Sequence, residues 1–282
     1  MKALKYHLLL ALIASIFVGC DLFFPYAIEN APMASDVPQE PEEPEVPAPD
    51  GSFSVARDKF VYFSLGNLQY HAVMNQWRFA PNQYDYVGTD NRHISSSYNG
   101  WIDLFGWGTG DSPTKSSSWE SDYSMFIDWG ANKIDNDEEG TWRTLTNNEW
   151  AYILSERKNA SLLIGSARVA SVNGIILLPN NWECPSGVTF NSGFNGGFSQ
   201  NIYSVSKWQL MEEAGAVFLP AAGYRHPYDY YSKSSTTMEH VQSLGYYWSS
   251  TSGSDLYFND RHTSMSNSNN RNGYSVRLVK SL

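Results

Sequence analysis

Residues 245–251 read Gly245-Tyr246-Tyr247-Trp248-Ser249-Ser250-Thr251, and the run Tyr274-Ser275-Val276-Arg277-Leu278-Val279 follows further along the chain. Aromatic and β-branched residues are frequent in both runs, and such residues favour strands. Residues 251–272 read TSGSDLYFNDRHTSMSNSNNRN, in which only residues 255–258 resemble another strand. The pattern predicts short strands on either side of a polar segment in the C-terminal part of the domain.

Two segments carry helix start signals. Thr146 and Glu149 have the spacing of a capping box, in which the side chains and backbone of the two residues satisfy each other. The side chains that follow recur on one helical face: Trp150, Ile153, Leu154 and Arg157. Ser206 and Gln209 repeat the capping-box spacing, and Gly215 is a suitable helix stop. We therefore predict one helix from Thr146 and another from Ser206.

The remaining regular structure is predicted to be short strands. The candidate runs are Phe60–Phe63, Gln76–Phe79, Tyr84–Val87, Ala216–Pro220 and Asp255–Phe258. Gly and Pro number 21 and 13 and break the chain into many turns and loops. Short strands, two main helices and long loops predict the α+β class.

Composition excludes several classes of protein. Aromatic residues make up 15% and charged residues only 17%, which does not fit a disordered chain or a coiled coil. The net charge of −10 argues against nucleic acid as a partner, because phosphate binding requires clustered basic residues. No internal repeat is visible, so we treat residues 51–282 as one domain, expected to be monomeric.

The N-terminal residues 1–20 have the pattern of a lipoprotein signal peptide. Lys2 and Lys5 precede an apolar run from Leu8 to Val18, which is shorter than a membrane-spanning helix requires. The run closes with Gly19-Cys20, which resembles a bacterial lipobox. In that motif the cysteine receives a diacylglycerol group and leads the mature chain. The resemblance implies that Cys20 is lipidated and that the membrane is reached through this anchor.

Residues 21–50 are predicted to form an acidic, proline-rich disordered linker. They contain eight acidic residues and no Lys or Arg. Proline keeps a backbone extended, and like charges repel one another, so the segment cannot bury enough apolar surface to fold. We expect a spacer that lifts the domain from the membrane of the cell envelope. The expected location is the outer membrane, with the domain exposed at the surface.

Several motifs in 51–282 are similar to a known family. Residues 142–150 (WRTLTNNEW) resemble a helix start in the formylglycine-generating, sulfatase-modifying branch of the C-type lectin-like fold, and 245–251 and 275–279 resemble its closing strands. Further runs resemble paralogous lipoproteins of gut-type Bacteroidota: 62–70 (YFSLGNLQY), 77–80 (WRFA), 84–88 (YDYVG), 102–107 (IDLFGW) and 218–225 (FLPAAGYR). The resemblance implies a C-type lectin-like fold for the domain.

The sequence does not support the oxidase activity of that branch. Formylglycine generation uses a pair of reactive cysteines with copper, whereas Cys184 is alone in the domain and is expected to be a small buried residue. A related branch uses non-haem iron and a histidine cluster. The histidines here lack paired-ligand spacing: His71, His93, His226, His240 and His262. We expect a protein that is not an enzyme, with a metal-dependent enzyme of this superfamily as the alternative.

Neither a cofactor nor a resident metal is expected. Residues 135–140 (DNDEEG) offer the oxygen ligands that calcium prefers, but such a run is more often a solvated acidic loop. Phe258-Asn259-Asp260 echoes one of the two motifs of calcium-dependent lectins, and the other motif is absent. A structural calcium stays an alternative.

The bulky residues of these motifs are expected to be structural. We expect Trp142, Trp150, Phe218 and Trp248 to lie in the core. Three arginines are expected to pair with acids or with loop carbonyls and so to hold the long loops in place. They are Arg143, Arg225 and Arg277.

The polar segment 251–272 is the candidate contact surface for a protein or glycan ligand. Tyrosine gives broad contact at low entropic cost, and Ser and Asn give adaptable hydrogen bonds. The residues expected to bind the ligand are Tyr257, Asn259, Asp260, Arg261, His262, Met265, Asn267, Asn269 and Asn270. Arg261 and Tyr257 are the expected anchors, because binding hot spots favour these residue types. A solvated loop without a ligand is the alternative.

The same segment is similar to the variable region of proteins diversified by retroelements, which use a C-type lectin-like fold. Adenine-directed mutation of Asn codons there yields Asn, Ser, Tyr, Asp and His, and 251–272 has this composition. The resemblance implies a near-copy of the 3′ coding segment beside a reverse-transcriptase gene. The predicted function is recognition or adhesion by a lipid-anchored envelope protein, with a structural subunit of a surface appendage as a further alternative.

Overall fold

Sixteen strands and two α-helices form in the residues described by the computed structural model, which are 46–115, 121–227 and 237–282. In chain order the strands are β1 (Phe53–Ala56), β2 (Lys59–Phe63), β3 (Leu68–His71), β4 (Gln76–Phe79), β5 (Trp101–Ile102), β6 (Arg143–Thr144), β7 (Ile164–Val169), β8 (Val172–Leu177), β9 (Ile202–Tyr203), β10 (Val217–Pro220), β11 (Tyr224–His226), β12 (Thr237–Glu239), β13 (Gly245–Trp248), β14 (Ser254–Phe258), β15 (Thr263–Asn267) and β16 (Leu278–Ser281). The helices are α1 (Asn147–Ala151) and α2 (Val205–Glu213). The predicted α+β class is confirmed, with long connecting loops.

The signal peptide 1–20 with its lipidation residue Cys20, and most of the predicted linker, lie outside the described residues. Residues 46–50, which the sequence assigns to the linker, are hydrogen-bonded to the domain. Val46 N donates to Asp58 Oδ1 at 3.0 Å, and Asn181 Nδ2 donates to Ala48 O at 2.8 Å. This end of the linker segment therefore packs against the folded domain.

The strands form five small sheets. Their orders are β1-β2-β16-β6, β4-β3-β5, β10-β8-β7-β9, β11-β12 and β13-β14-β15. All of these strand pairs are antiparallel except β7 with β9. In the first sheet the last strand of the described chain, β16, lies between β2 and β6, so the two ends of the domain share one sheet.

The helix predicted from Thr146 begins at that residue. Thr146 Oγ1 accepts a hydrogen bond from Glu149 N, and Glu149 Oε2 accepts one from Thr146 N at 2.8 Å, which completes the capping box. Arg143 donates to both carboxylate oxygens of Glu149, at 2.7 and 2.9 Å, as the expected pairing with an acid requires. Helix α1 continues as a π-helical turn over Tyr152–Glu156.

The second helix begins earlier than the sequence suggests. Its N-cap is Ser204, whose Oγ accepts from Lys207 N, so the predicted start at Ser206 with Gln209 is wrong by two residues. Both serines fit the local cap pattern, and the bond from Lys207 N identifies Ser204 as the cap. Gly215 ends the helix as predicted, with φ +91°, a backbone conformation that favours glycine.

The strand predicted over Tyr84–Val87 does not form. Asp85 N donates to Asn82 O in a turn, and Val87 N donates to Asp103 Oδ2. A turn and a side chain therefore take up backbone donors that a sheet would have paired. A strand that the sequence analysis left out, β15, does form at Thr263–Asn267. It is polar, and it is held by its pairing with β14.

The core consists of three apolar clusters, one beside β1 and α1, one beside β3 and the end of the chain, and one beside β7 and α2. Trp150, Phe218 and Trp248 are fully buried, as predicted. Trp142 is instead half-buried, because its ring packs at the edge of a cluster and its Nε1 donates to Asp137 Oδ2 at 2.8 Å.

Two arginines, Arg225 and Arg277, are buried in the interior. Arg225 Nη1 donates to the carbonyl oxygens of Leu104 and Asn91, at 2.7 and 3.3 Å, which confirms its expected binding of loop carbonyls. Arg277 instead donates to the side-chain amide oxygens of Gln83 and Asn67. Burial lowers the pKa of both guanidinium groups to about 10, so both stay charged at neutral pH.

Replacing Glu149 tests how much this capped turn stabilises the domain. Glu149→Ala removes the bidentate ion pair and the bond to the Thr146 amide, so we expect the free energy of unfolding to fall by about 1–3 kcal/mol. Urea denaturation followed by tryptophan fluorescence measures the change. Glu156→Ala, an exposed acid in the following turn, is the matched control. Equal effects of the two substitutions would contradict a specific role for the capping box.

A tyrosine-lined cleft as the candidate binding site

One face of the sheet β13-β14-β15 carries the candidate site. Residues opposite each other on paired strands share a face, and Tyr246 is opposite Tyr257, whose other neighbour is Ser264. The next such row joins Trp248, Asp255 and Ser266. The alternate residues Tyr247, Leu256 and Phe258 turn to the other face and pack in the core. The pleat of the sheet therefore separates a tyrosine-rich face from a hydrophobic one.

Four tyrosine rings meet on this face. The ring centroids of Tyr246 and Tyr274 are 4.6 Å apart with the planes stacked at 18°. Tyr257 lies 5.2 Å from Tyr246 on one side, and Tyr224 lies 5.3 Å from Tyr246 on the other. The rings of Tyr224 and Tyr274 are 6.1 Å apart and nearly perpendicular. The four rings thus form one continuous aromatic cluster.

Backbone bonds bring these tyrosines together from distant parts of the chain. Tyr274 exchanges both backbone hydrogen bonds with Phe105, and the next residue, Ser275, donates to Tyr246 O. Arg225, beside Tyr224, exchanges backbone bonds with Gly273. Strand β11 and the extended segment around Tyr274 therefore lie beside β13, and each contributes a ring to the same cluster.

A cleft of about 460 Å³ opens over this cluster. Its lining consists of tyrosine rings with small polar side chains between them: Tyr224, His226, Pro227, Tyr246, Tyr257, Ser266, Ser268, Asn269, Asn272 and Tyr274. A shallower cleft of about 370 Å³ shares Ser268 and Asn269 and continues towards Tyr123 and Arg271. Aromatic walls with a few convergent polar groups are typical of ligand sites.

Hydroxyl groups in the cleft are linked by hydrogen bonds. Asn272 Nδ2 donates to Tyr274 OH at 2.8 Å, and Tyr274 OH donates to Ser268 Oγ at 2.8 Å. Asn259 Nδ2 donates to Tyr257 OH at 3.0 Å. Burial raises the pKa of Tyr246 and Tyr274, so both phenols are neutral at physiological pH. The tyrosines consequently present uncharged rings in fixed orientations.

Asp255 lies in this face with no exposed surface. Neither of its carboxylate oxygens makes a hydrogen bond of normal geometry to the described residues. Burial raises the pKa of Asp255 to about 6, and the nearby Ser268 side chain offsets this rise only in part. A buried carboxylate without a partner is costly, and such groups are concentrated at functional sites.

The residues predicted from sequence to bind a ligand lie in three places. Tyr257 and Asn269 line the cleft. Residues 259–262 form the turn between β14 and β15, where Asn259 Oδ1 accepts from the backbone of Arg261 and His262. The Arg261 side chain is 85% exposed and lies 4.0 Å from the Asp260 carboxylate.

The other three predicted residues do not line the tyrosine cleft. Met265 is opposite Leu256 and packs against the core, and Asn267 is on the same side of the sheet as Met265. Asn270 is occupied in holding loops together, because its side chain bonds to Gly253 N and Tyr123 O. The structure therefore brings together only part of the predicted set.

Most of the cleft residues are not predicted from the sequence to bind a ligand. The sequence places Tyr246, Tyr274 and Asp255 in strands without a binding role, and Tyr224 appears only in the motif 218–225. One signal for the site was available in the sequence: Asp255 and Tyr257 alternate strictly with the apolar Leu256 and Phe258. This alternation indicates that the strand has one apolar face and one polar face. The position of Tyr224 had no local signal, because only the tertiary fold places it there.

The candidate catalytic and metal-binding residues are dispersed. Cys184 is exposed, not buried as expected, with its Sγ donating to Val188 O. Asp135 and Asp137 accept hydrogen bonds from Phe79 N and Trp142 Nε1. Within residues 46–115, 121–227 and 237–282, no three His, Cys, Asp or Glu side chains are placed to share a metal ion. No helix in these ranges has the length and hydropathy to span a membrane.

Another hollow, of about 400 Å³, lies beside residues 46–48 and is lined by Arg57, Asp58 and Arg157. It adjoins the segment that leads to the undescribed residues, so we do not choose it as the candidate site. Comparison with protein-family models, with curated proteins and with solved structures finds no match to this chain. The tyrosine-lined cleft is therefore the basis for assigning a function.

The pH dependence of stability tests the state of Asp255. A carboxyl whose pKa rises from 3.8 to about 6 on folding holds its proton more tightly in the folded state. Ionisation then destabilises the fold as pH rises through this window. Asp255→Asn should gain stability relative to wild type between pH 4 and 7, by up to about 3 kcal/mol.

Urea denaturation at a series of pH values measures this difference. Other titrating groups, including Asp103, are present in both proteins and cancel in the comparison. Asp260→Asn removes an exposed carboxylate from the same hairpin and serves as the control. A difference between wild type and Asp255→Asn that does not change with pH would show that Asp255 titrates normally.

Proposed function

We propose that this chain is a lipid-anchored cell-envelope protein that binds a protein or glycan partner through the tyrosine-lined cleft and the adjoining C-terminal loops. The observation that carries the proposal is the cluster of four tyrosine rings around an open cleft. Three of these side chains, Tyr224, Tyr246 and Tyr257, are only half-buried. Aromatic surface left accessible in a concave site favours binding.

The chemistry of the lining suits recognition. Tyrosine rings are rigid and amphipathic, so they contact a partner with little loss of conformational entropy. Ser266, Ser268 and Asn269 add hydrogen-bonding groups at the rim of the rings. Such a surface stacks on the apolar faces of sugars as well as on protein side chains, which is why the proposal includes both classes of partner.

We also propose a C-type lectin-like fold for the domain. Three observations support it: two helices near the expected positions, short strands where the motif segments 245–251 and 275–279 lie, and long loops over the rest of the described chain. The helix start at 142–150, through which the sequence resembles that fold, has its capping box intact. In the retroelement-diversified proteins that residues 251–272 resemble, the variable region is likewise C-terminal.

The anchor is part of the same proposal. Its support is the lipobox-like Gly19-Cys20 after an apolar run, followed by an acidic, proline-rich segment that suits a spacer. A lipid anchor of several acyl chains holds a protein on a membrane much more firmly than a single chain does. Such an attachment suits recognition at a cell surface.

Array binding tests the proposed recognition function. Glycan and protein arrays are probed with the purified wild-type protein, and the hits are then re-probed with Tyr257→Ala. We expect at least about a tenfold loss of affinity for the true partner, because a central tyrosine is a typical hot spot. Tyr62→Ala, an exposed tyrosine in another sheet, is the control. Absence of any hit, or hits that Tyr257→Ala retains in full, would contradict the proposal.

Labelling with radioactive palmitate in a bacterial host tests the anchor. The wild-type chain should incorporate the label and enter the detergent phase, whereas Cys20→Ser should do neither, because the acylated thiol is gone. Cys184→Ser controls for the loss of a cysteine and should behave as wild type, because Cys184 lies in the domain. Full labelling of the Cys20→Ser protein would disprove lipidation at this residue.

A further inference from the structure

We infer that the cleft binds a cationic group, an alkylammonium of the kind carried by choline or by a lysine side chain. The inference rests on the proposed function, since it assigns a ligand chemistry to the same site. It depends on two independent features of the cleft: the tyrosine rings that surround it and the unpaired carboxylate of Asp255 in the sheet face beneath them.

The rings provide the first half of the site. The faces of aromatic rings are electron-rich, and they attract ammonium groups that approach within about 6 Å of the ring centroid. Tyr224, Tyr246 and Tyr257 are successive neighbours at 5.3 and 5.2 Å, and all three line the cleft. A cation between such rings would contact more than one of them. Groups of aromatic rings are the usual means by which proteins bind methylated ammonium ions.

The carboxylate provides the second half. Asp255 shares its face of the sheet with Tyr257, two residues along the strand, and it is directly opposite Ser266 of the cleft lining. Its charge also acts on Tyr246 and Tyr274, whose pKa values it helps to raise, so it is close to both rings. A negative charge beneath neutral rings is weakly screened by water and attracts a cation in the cleft.

The charge balance of the lining excludes the opposite assignment. The described residues that line the cleft include no Lys, Arg, Asp or Glu, so the field of Asp255 is not neutralised within the cleft. Arg271 lies in the adjoining shallow cleft, where its Nε donates to Ser121 O. An anionic ligand would be repelled by Asp255, and a neutral sugar would leave its carboxylate unpaired. A cationic ligand would offset the free-energy penalty of burying this charge.

Calorimetric titration of the full-length protein in a non-ionic detergent tests the inference at neutral pH. The probes are choline, Nα-acetyl-lysine N-methylamide and neohexyl alcohol. The lysine probe has blocked backbone ends and a free side-chain amine, and neohexyl alcohol is the uncharged carbon isostere of choline. We expect at least one cation to bind at least about tenfold more tightly than neohexyl alcohol. Binding of choline alone indicates a quaternary ammonium ligand, and binding of the lysine probe indicates a protein side chain.

Two variants separate the carboxylate from the rings. Asp255→Asn keeps the shape of the site and removes its charge, so cation affinity should fall by about tenfold while affinity for neohexyl alcohol is unchanged. Tyr257→Phe should retain cation binding and Tyr257→Leu should lose it, because only the former keeps the aromatic face. Glu156→Gln, which neutralises an exposed acid outside the cleft, should bind as wild type does.

Equal binding of choline and neohexyl alcohol, or unchanged cation affinity in Asp255→Asn, would overturn the inference. Failure of both cations to bind would overturn it as well. These outcomes differ from a failure of the proposed function: array partners that depend on Tyr257 would then still identify the cleft as a binding site for an uncharged ligand.

Discussion

The final segment of the chain, residues 270–281, holds the separate sheets together through its backbone. Its hydrogen bonds connect Asn270 with Trp107, Gly273 with Arg225, Tyr274 with Phe105, Ser275 with Tyr246 and Trp248, Val276 with Leu68, and Leu278 with Ser64. Beyond these, β16 pairs with β2 and β6. Buried backbone groups must be paired, so this one extended segment fixes where the neighbouring sheets and loops lie. The rest of the domain, including the cleft, depends on its position.

Two buried arginines add side-chain hydrogen bonds to these backbone contacts. Arg225 lies beside Gly273, and Arg277 belongs to the final segment itself. Both guanidinium groups lie in the interior, and each donates to uncharged oxygen atoms of loop backbone or loop side chains. A guanidinium group offers five donors in a fixed geometry, so it can join several loop oxygens that no strand reaches. The small sheets and long loops of this domain are joined in this way where regular structure is absent.

The sheet face beneath the cleft contains a buried acid that lacks the hydrogen bonds made by the other buried acid of the described residues. Elsewhere in the described residues a buried acid such as Asp103 is bonded to Asn91 and to the amide of Val87, whereas Asp255 is buried at the tyrosine face with both oxygens unpaired. A site that carries a destabilising charge is expected where the charge serves binding. The same reasoning explains why three tyrosines stay half-exposed beside a core that accommodates many other aromatic rings.

The sequence alone determined the features whose signals are local. The capping box at Thr146, the glycine stop at Gly215 and the apolar runs that became β2, β4, β10, β13 and β14 could all be predicted because each depends on residues a few positions apart. Only the tertiary structure decided that Tyr84–Val87 would bond to side chains and that the polar residues 263–267 would form a strand. It also decided which face Asp255 would occupy and that rings from four segments would meet. These outcomes depend on hydrogen bonds between residues far apart in the chain, and the conformational preferences of neighbouring residues do not predict them.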